Sequence, residues 1–245
     1  MPAGPVLVVE HEAHASLDLM AAPLAAGWAE VVVVRPYLGQ SLPGDTQGLG
    51  GLVVLGGEMG ALDDDVAPWL PATRALLADA VRRSTPALGI CLGAQLLAAA
   101  TGGSVERGSA GLELGLAPVS PLPAAAADPY LAPVLAGTVP ATPFDVLQYH
   151  RDAVTRLPPD AELLVTGELY PHQVFRVGAA AWGVQYHPEV SAPVFAAWLE
   201  SADHEDPAVS ARARSGLAAR PHLVGRQDLA DVHAAGLLAA ATLVS

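Results

Sequence analysis

One short stretch constrains the fold of this chain more than any other, because the only cysteine, Cys91, stands between Gly89 and Gly93. Residues 86–90 are apolar and fit a short buried strand, whereas residues 94–100 are mostly Ala and Leu and favour a helix. The spacing therefore predicts a sharp strand-to-helix turn, a nucleophile elbow, in which flanking glycines allow close backbone packing and the helix N-terminus favours a thiolate. The bland alternative is that Cys91 is an ordinary core residue, and the two glycines weigh against it.

The rest of the first half predicts an α/β fold with a mostly parallel sheet. Short apolar runs, rich in β-branched residues, are typical of parallel strands covered on both faces. They lie in residues 6–9 and 52–55 and, as four valines, within residues 30–35. Helical spacing over residues 13–27 and 68–83 alternates with them. We expect a Rossmann-like or flavodoxin-like sheet with helices on both faces, and Cys91 at the carboxyl end of a central strand.

The second half of the chain is predicted to form antiparallel strands followed by helices. Short runs separated by Pro, Gly and Asp over residues 102–183 indicate a small antiparallel β excursion. Residues 121–143, rich in Ala and Pro, are expected to form a surface excursion. Helices are predicted from residue 192 and, split near Pro221, over residues 207–243. We expect one domain over residues 1–245, with a helical C-terminal extension from about residue 202.

Composition excludes several functions. The 245 residues carry a net charge of −13 and contain no lysine, which argues against nucleic acid or an anionic membrane as a partner. Without lysine, neither phosphate-loop nor Schiff-base chemistry is available. A single cysteine cannot form an internal disulfide, and residues 1–5 lack the features of a signal peptide. The expected location is the cytoplasm, and charges within residues 223–244 argue against a membrane span.

A cysteine nucleophile needs a base and a group that orients the base. His187 and Glu189 are the candidates, because side chains two positions apart in an extended segment point to the same side. Glu189 could then accept a hydrogen bond from the imidazole. The alternative is a histidine that merely ends a strand.

A glycine pair provides a candidate oxyanion hole. Gly56 and Gly57 follow the predicted strand 53–55 and should reach the same edge of the sheet as Cys91. The N–H groups of Gly57 and Leu92 could then stabilise a developing oxyanion, although the glycines alone also fit an ordinary turn.

No metal site is predicted. His11 and His14 lie three residues apart without further ligands nearby, so a solvated surface is favoured for both. Residues 63–65, three aspartates, are interpreted as a solvated lead-in to the following helix. His150 lies in a polar segment and either lines a pocket or makes a structural hydrogen bond.

Four segments taken together, in their order and spacing, resemble the class I (triad) glutamine amidotransferases over about residues 6–198. The likeness is greatest to the glutaminase domain of GMP synthetase and its stand-alone relatives. The segments are GGEMG at 56–60, GICLGAQ at 89–95, QYHRD at 148–152 and GVQYHPE at 183–189.

The resemblance implies a role for each matching residue. Cys91 would be the nucleophile, His187 the acid and base, and Glu189 the orienting carboxylate, with Gly57 and Leu92 as the oxyanion hole. The implied substrate contacts are Gln95, Tyr149, His150, Arg151 and Asp152. One residue departs from the family: Glu58 stands where proline is common, and it either points to solvent or reads the amino group of the substrate.

The implied activity is hydrolysis of the glutamine side-chain amide through a cysteinyl thioester, without metal or cofactor. Ammonia would pass to a separate synthetase subunit. Two alternatives remain open: a self-sufficient γ-glutamyl hydrolase or peptidase, and a thiol sensor or chaperone of the DJ-1/PfpI type. The second is disfavoured because that group usually has histidine where this chain has Leu92.

Overall fold

The computed structural model describes residue 2 and residues 4–138 and 143–243. Its strands are β1 Val6–Val9, β2 Val31–Val34, β3 Gly51–Val54, β4 Ala87–Ile90, β5 Ser104–Arg107, β6 Glu113–Pro121, β7 Phe144–His150, β8 Asp152–Arg156, β9 Ala161–Gly167, β10 Val174–Val177 and β11 Ala181–Val184. Its α-helices are α1 Ala21–Gly27, α2 Leu70–Arg83, α3 Leu92–Ala100, α4 Leu131–Thr138, α5 Ala192–Glu205, α6 Pro207–Ala219 and α7 Gln227–Leu243. Within the described ranges, no helix combines the length and apolar character that a membrane span requires.

One large sheet organises the described residues, in the order β2-β1-β3-β4-β11-β10-β9-β6-β7, and β5 pairs separately with β8. In this order, the adjacent strands β2, β1, β3, β4 and β11 run parallel to one another. Each adjacent pair in the remainder of the order, β11-β10-β9-β6-β7, is antiparallel. The predicted α/β fold is confirmed, and the antiparallel part is larger than a small excursion because four of its strands extend the same sheet.

The sheet separates two apolar layers. In β1, Val6 and Val8 contact one layer and Leu7 and Val9 the other, as the alternation of side chains along a strand requires. Helices α2 and α3 cover one face, whereas α1, α4 and α7 cover the opposite face. This two-sided burial explains why the parallel strands are continuously apolar.

The predicted helix over residues 13–27 is wrong in its first half. The α-helix begins only at Ala21, after a 3₁₀ turn at Asp18–Met20. Asp18 has a φ of 38°, and its Oδ2 accepts the backbone N–H of Ser191 at 2.7 Å. A long-range contact therefore replaces the helical turn that the apolar spacing indicated.

The predicted surface excursion over residues 121–143 is also wrong. Tyr130, Leu131 and Val134 are fully buried, because α4 packs against α7. Residues 139–142 of this prediction lie outside the described residues. The strand β7, which ends at His150, was not predicted either.

The C-terminal helix α7 places a histidine in the core. His233 is fully buried, and its ring nitrogens form hydrogen bonds with the hydroxyls of Tyr130 and Tyr186. Because Tyr186 immediately precedes His187, α7 packs directly behind this candidate base. Burial lowers the pKa of His233 to about 3, so its imidazole is neutral near pH 7.

We expect the burial of His233 to destabilise the fold in acid. The unfolded chain protonates this residue near its ordinary pKa of 6.5, whereas the folded chain protonates it only near about 3. The unfolded state therefore binds the extra proton between these values, and stability falls as the pH falls. In His233→Gln, the slope of unfolding free energy against pH should decrease by about 1.4 kcal/mol per pH unit in this window, measured by urea unfolding.

The matched control for that experiment is His222→Gln, because His222 is exposed. Its slope should equal that of the unmodified chain. Equal slopes for His233→Gln and the unmodified chain would contradict the prediction.

Candidate active site

The turn at Cys91 is strained and tightly packed. Cys91 has φ 51° and ψ −107°, between the end of β4 and the start of α3. A Cβ atom on Gly93 would lie 2.0 Å from the carbonyl oxygen of Val54, and one on Gly89 would lie 2.4 Å from the carbonyl oxygen of Gly93. Both positions therefore require glycine, and the predicted strand-turn-helix geometry is confirmed. The Cys91 side chain is only 6% exposed, so it is reached through a cavity rather than presented to bulk water.

The structure brings His187 and Glu189 together beside that thiol. Strand β11, which leads to His187, is the parallel neighbour of β4. The Nδ1 atom of His187 lies 2.7 Å from Oε1 of Glu189, and both side chains are buried. Backbone N–H of His187 donates to the carbonyl oxygen of Leu147 at 2.9 Å, which fixes the start of this segment.

Opposing effects set the charge of His187. Burial lowers its pKa, but the carboxylate of Glu189 and the sulfur of Cys91 favour the protonated ring and together raise the pKa to about 10. At neutral pH the ring is therefore an imidazolium between a carboxylate and the thiol. The indole of Trp198 packs edge-on against it, with ring centroids 4.8 Å apart.

The glycine loop lies directly beside the Cys–His pair. A Cβ atom on Gly56 would lie 3.3 Å from Cε1 of His187 and 3.6 Å from Cβ of Cys91. Gly57 adjoins Leu92, since a Cβ on Gly57 would lie 3.0 Å from Cδ2 of Leu92. Among the described residues, neither N–H of the predicted oxyanion hole has a hydrogen-bond acceptor, and that of Leu92 is the first of α3.

A cavity of about 420 Å³ opens onto Cys91 and His187. The five predicted substrate contacts all line it: Gln95, Tyr149, His150, Arg151 and Asp152. Glu58 lines it too, with an exposed side chain.

Several of these lining residues are held by protein contacts. For His150, both interpretations left open by the sequence apply: it lines the cavity, and its Nε2 lies 2.8 Å from Oε2 of Glu113. Gln95 donates from Nε2 to the carbonyl oxygen of Asp152 at 2.9 Å. Nε of Arg151 lies 2.7 Å from Oε1 of Glu205, an ion-pair distance without the alignment of a hydrogen bond.

The interpretation of His11 as solvated surface is wrong. Its side chain is 1% exposed and its Nδ1 accepts a hydrogen bond from Nε1 of Trp69 at 2.9 Å. Burial lowers its pKa to about 4. His14 is exposed as expected. Across the described part of the chain, no group of three or more His, Cys, Asp or Glu side chains could hold a metal ion.

The aspartates 63–65 organise the loop before α2. Oδ2 of Asp63 accepts the backbone N–H of Gly60 at 2.8 Å, and Asp64 forms an ion pair with Arg74 at 2.7 Å. Asp63 and Asp65 are exposed, as the interpretation of a solvated lead-in expects, but Asp63 also lines the cavity.

Two cavity walls were missed from the sequence. One is the segment that contains Glu12, and the other is the face of α5 that presents Trp198, Ser201 and Glu205. Residues three and four positions apart on a helix lie on the same face. The spacing of Trp198, Ser201 and Glu205 could therefore have indicated a shared face of α5. Nε1 of Trp198 donates to the carbonyl oxygen of His14 at 3.1 Å and joins the two walls.

Fold and site thus define an α/β protein with a strained cysteine facing a buried histidine–glutamate pair. The profile of the family described as glutamine amidotransferase class-I matches residues 51–200. The chain belongs to the class I glutamine amidotransferases, whose members are typically cysteine-dependent enzymes.

The chain is similar to proteins that are named for two different activities. Over 162 residues, the chain is 33% identical to a GMP synthase [glutamine-hydrolyzing] of Porphyromonas gingivalis, covering 64% of this chain and 28% of the relative. Over 139 residues, it is 30% identical to gamma-glutamyl peptidase 5 of Arabidopsis thaliana, covering 57% of this chain and 53% of the relative. The chain therefore spans less than two thirds of either protein.

Solved structures match over nearly the whole chain. A glutamine amidotransferase from Thermotoga maritima superposes with a TM-score of 0.78 at 26% identity, covering 97% of this chain and 99% of that one. A second from Methylobacillus flagellatus has a TM-score of 0.80 at 25% identity, covering 96% and 94%. The likeness thus includes the C-terminal helices that follow the family segment.

The charge of Glu189 should control the protonation of His187. Glu189→Gln keeps the shape of the side chain but removes its negative charge, which is the largest effect that raises the pKa of His187. The burial that lowers this pKa remains. We expect the pKa of His187, about 10 in the unmodified chain, to fall by at least about one unit, measured by NMR titration of the labelled ring.

Glu113→Gln is the matched control, because Glu113 is also a buried carboxylate bonded to a histidine. It should leave the titration of His187 unchanged. An unchanged titration in Glu189→Gln would show that the carboxylate does not set this charge.

Proposed function

We propose that the chain is a cysteine-dependent glutaminase that hydrolyses the side-chain amide of glutamine and releases ammonia to an acceptor or separate synthetase subunit. The observation that carries this proposal is the buried His187–Glu189 pair beside the strained Cys91 at the floor of a cavity. Family membership supports it, because known relatives include glutamine-hydrolysing enzymes.

The reaction proceeds in two halves. The Cys91 thiolate attacks the amide carbon, and the N–H groups of Gly57 and Leu92 stabilise the oxyanion. His187 already carries a proton, which it donates to the leaving ammonia as the carbon–nitrogen bond breaks. Water then gives a proton to the now neutral His187 as its oxygen attacks the γ-glutamyl thioester, and the carbon–sulfur bond breaks to release glutamate and restore the Cys91 thiolate beside a protonated His187. Glu189 keeps the imidazole oriented through both halves.

The surrounding cavity holds the glutamyl portion. We assign substrate contact to Gln95 and to the segment Tyr149, His150, Arg151 and Asp152, since all five line the cavity. The chain acts as one domain, with its C-terminal helical extension packed on the core. We place it in the cytoplasm, where a reactive thiol stays reduced.

A second candidate is a self-sufficient γ-glutamyl peptidase. The likeness to the Arabidopsis gamma-glutamyl peptidase favours it, as does a cavity of about 420 Å³, which leaves room for a leaving group larger than ammonia.

Replacing the nucleophile should abolish activity. In Cys91→Ala, we expect glutaminase activity to fall by about a thousandfold or more, measured as glutamate release, because no covalent intermediate can form. A glutamine-like diazo-ketone should label the unmodified protein on Cys91 alone, as read by mass spectrometry. Thr101→Ala, a change at the far end of α3, serves as the control and should retain labelling. Labelling elsewhere, or unchanged activity in Cys91→Ala, would exclude the proposed mechanism.

The two candidates differ in what they cleave alone. A partner-dependent glutaminase should release ammonia slowly from glutamine and leave γ-glutamyl dipeptides intact. A self-sufficient peptidase should cleave γ-glutamyl dipeptides at a kcat/KM at or above that for glutamine. Parallel assays of glutamate release decide between them.

A further inference from the structure

Glu189 lies in a segment without regular secondary structure. Strand β11 ends at Val184 and helix α5 begins at Ala192, so neither a sheet nor a helix holds the backbone of Glu189. Its Oε1 lies 2.7 Å from Nδ1 of His187, whereas its Oε2 is buried without a hydrogen-bond donor among the described residues. Because the second oxygen does not fix the carboxylate, its position depends on the backbone that carries it.

The N-terminal loop holds this backbone on both sides of Val190. The N–H of Leu19 donates to the carbonyl oxygen of Glu189 at 2.9 Å. The N–H of Ser191 donates to Oδ2 of Asp18 at 2.7 Å, a short bond to a carboxylate acceptor. Two consecutive loop residues thus bind the segment that carries the orienting carboxylate.

The backbone of Asp18 is strained at this contact. Its φ of 38° is positive, and a residue other than glycine keeps such a conformation only where surrounding contacts fix it. Its neighbours Leu17 and Met20 are buried in the core. At the start of α7, Nε2 of Gln227 donates to the carbonyl oxygen of Leu19 at 2.9 Å. The loop is therefore anchored itself and can hold another segment in place.

We propose that Asp18 is a positioning residue, which sets the place of Glu189 and thereby the orientation of the His187 ring. The inference rests on the proposed cysteine chemistry, in which that ring must face Cys91. Asp18 is not one of the residues that line the cavity, so it acts through the backbone of the segment and not on the substrate. It also precedes the family segment, residues 51–200.

A purely structural role for Asp18 makes a different prediction. Ser191 is the N-cap residue of α5, so the carboxylate of Asp18 would then serve only to hold the start of that helix. Its removal would lower the melting temperature and leave the charge of His187 unchanged. The titration of His187 therefore separates the two roles, whereas stability alone does not.

Asp18→Gly tests the positioning role directly, because glycine adopts the positive φ without strain but lacks the carboxylate. We expect kcat for glutamine hydrolysis to fall by about tenfold with KM nearly unchanged, since a displaced Glu189 slows the chemical steps without touching the substrate. In an NMR titration of the labelled ring, the pKa of His187 should fall below about 10 and stay above its value in Glu189→Gln.

Two further variants extend the test. Asp18→Asn should restore most of kcat and of the His187 titration, because its side-chain oxygen still accepts the N–H of Ser191 and asparagine tolerates a positive φ. Gln227→Ala removes the bond to Leu19 from an exposed position, where folding is not at risk. It should lower kcat and the pKa of His187 in the same direction by a smaller amount.

Asp79→Ala is the matched control. The carboxylate of Asp79 also accepts a backbone N–H at 2.7 Å, that of Thr46. Thr46 contacts Thr85, which precedes β4, whereas Cys91 follows β4, so this contact lies at the opposite edge of the sheet. The control should lose thermal stability but keep kcat and the titration of His187.

An unchanged kcat and an unchanged titration of His187 in both Asp18→Gly and Gln227→Ala would overturn the inference and leave the proposed function standing. An equal loss of kcat in Asp79→Ala would also overturn it, because general destabilisation would then explain the effect. If the unmodified chain does not hydrolyse glutamine, the proposed function fails, and the titration still decides whether Asp18 controls the charge of His187.

Discussion

The contact of α3 with the sheet is the constraint on which the rest of the site depends. Gly93 approaches the carbonyl oxygen of Val54 so closely that no side chain fits between them. The helix therefore starts immediately above the ends of β3 and β4, and Cys91 must take a positive φ to join strand to helix. Such a backbone costs on the order of 1–3 kcal/mol and persists only where surrounding packing fixes it. Here the fully buried side chains Leu96 and Leu97 supply that packing.

The order of the central strands then decides which groups meet the thiol. Because β11 pairs with β4, His187 emerges beside Cys91 although the two are far apart in sequence. Burial alone would leave this histidine neutral, and the carboxylate of Glu189 together with the sulfur of Cys91 reverses that outcome. His11 and His233 are buried without such a carboxylate, and their pKa values fall instead. His187 differs from these two buried histidines in having both a carboxylate and a cysteine sulfur beside its ring.

Most of the cavity lining lies within the family segment, and segments on both sides of it complete the wall. Residues 51–200 contain the elbow, the glycine loop and the His–Glu pair, whereas Glu12 precedes this segment and Glu205 follows it. Trp198, near its end, ties α5 to the N-terminal loop. Residues before and after the family segment thus help to close the cavity over Cys91 and His187.

The sequence by itself determined the local features. The parallel strands and the elbow at Cys91 follow from runs of neighbouring residues, and the pairing of His187 with Glu189 follows from a two-residue spacing. The tertiary structure alone decided that α4 is buried, that His11 lies in the core, and that one face of α5 closes the cavity. It also decided that the helix predicted from residue 13 begins only at Ala21, since the carboxylate of Asp18 binds a backbone group far along the chain. Local periodicity reports which side of an element is apolar, but the partner of that side depends on packing between segments that are distant in sequence.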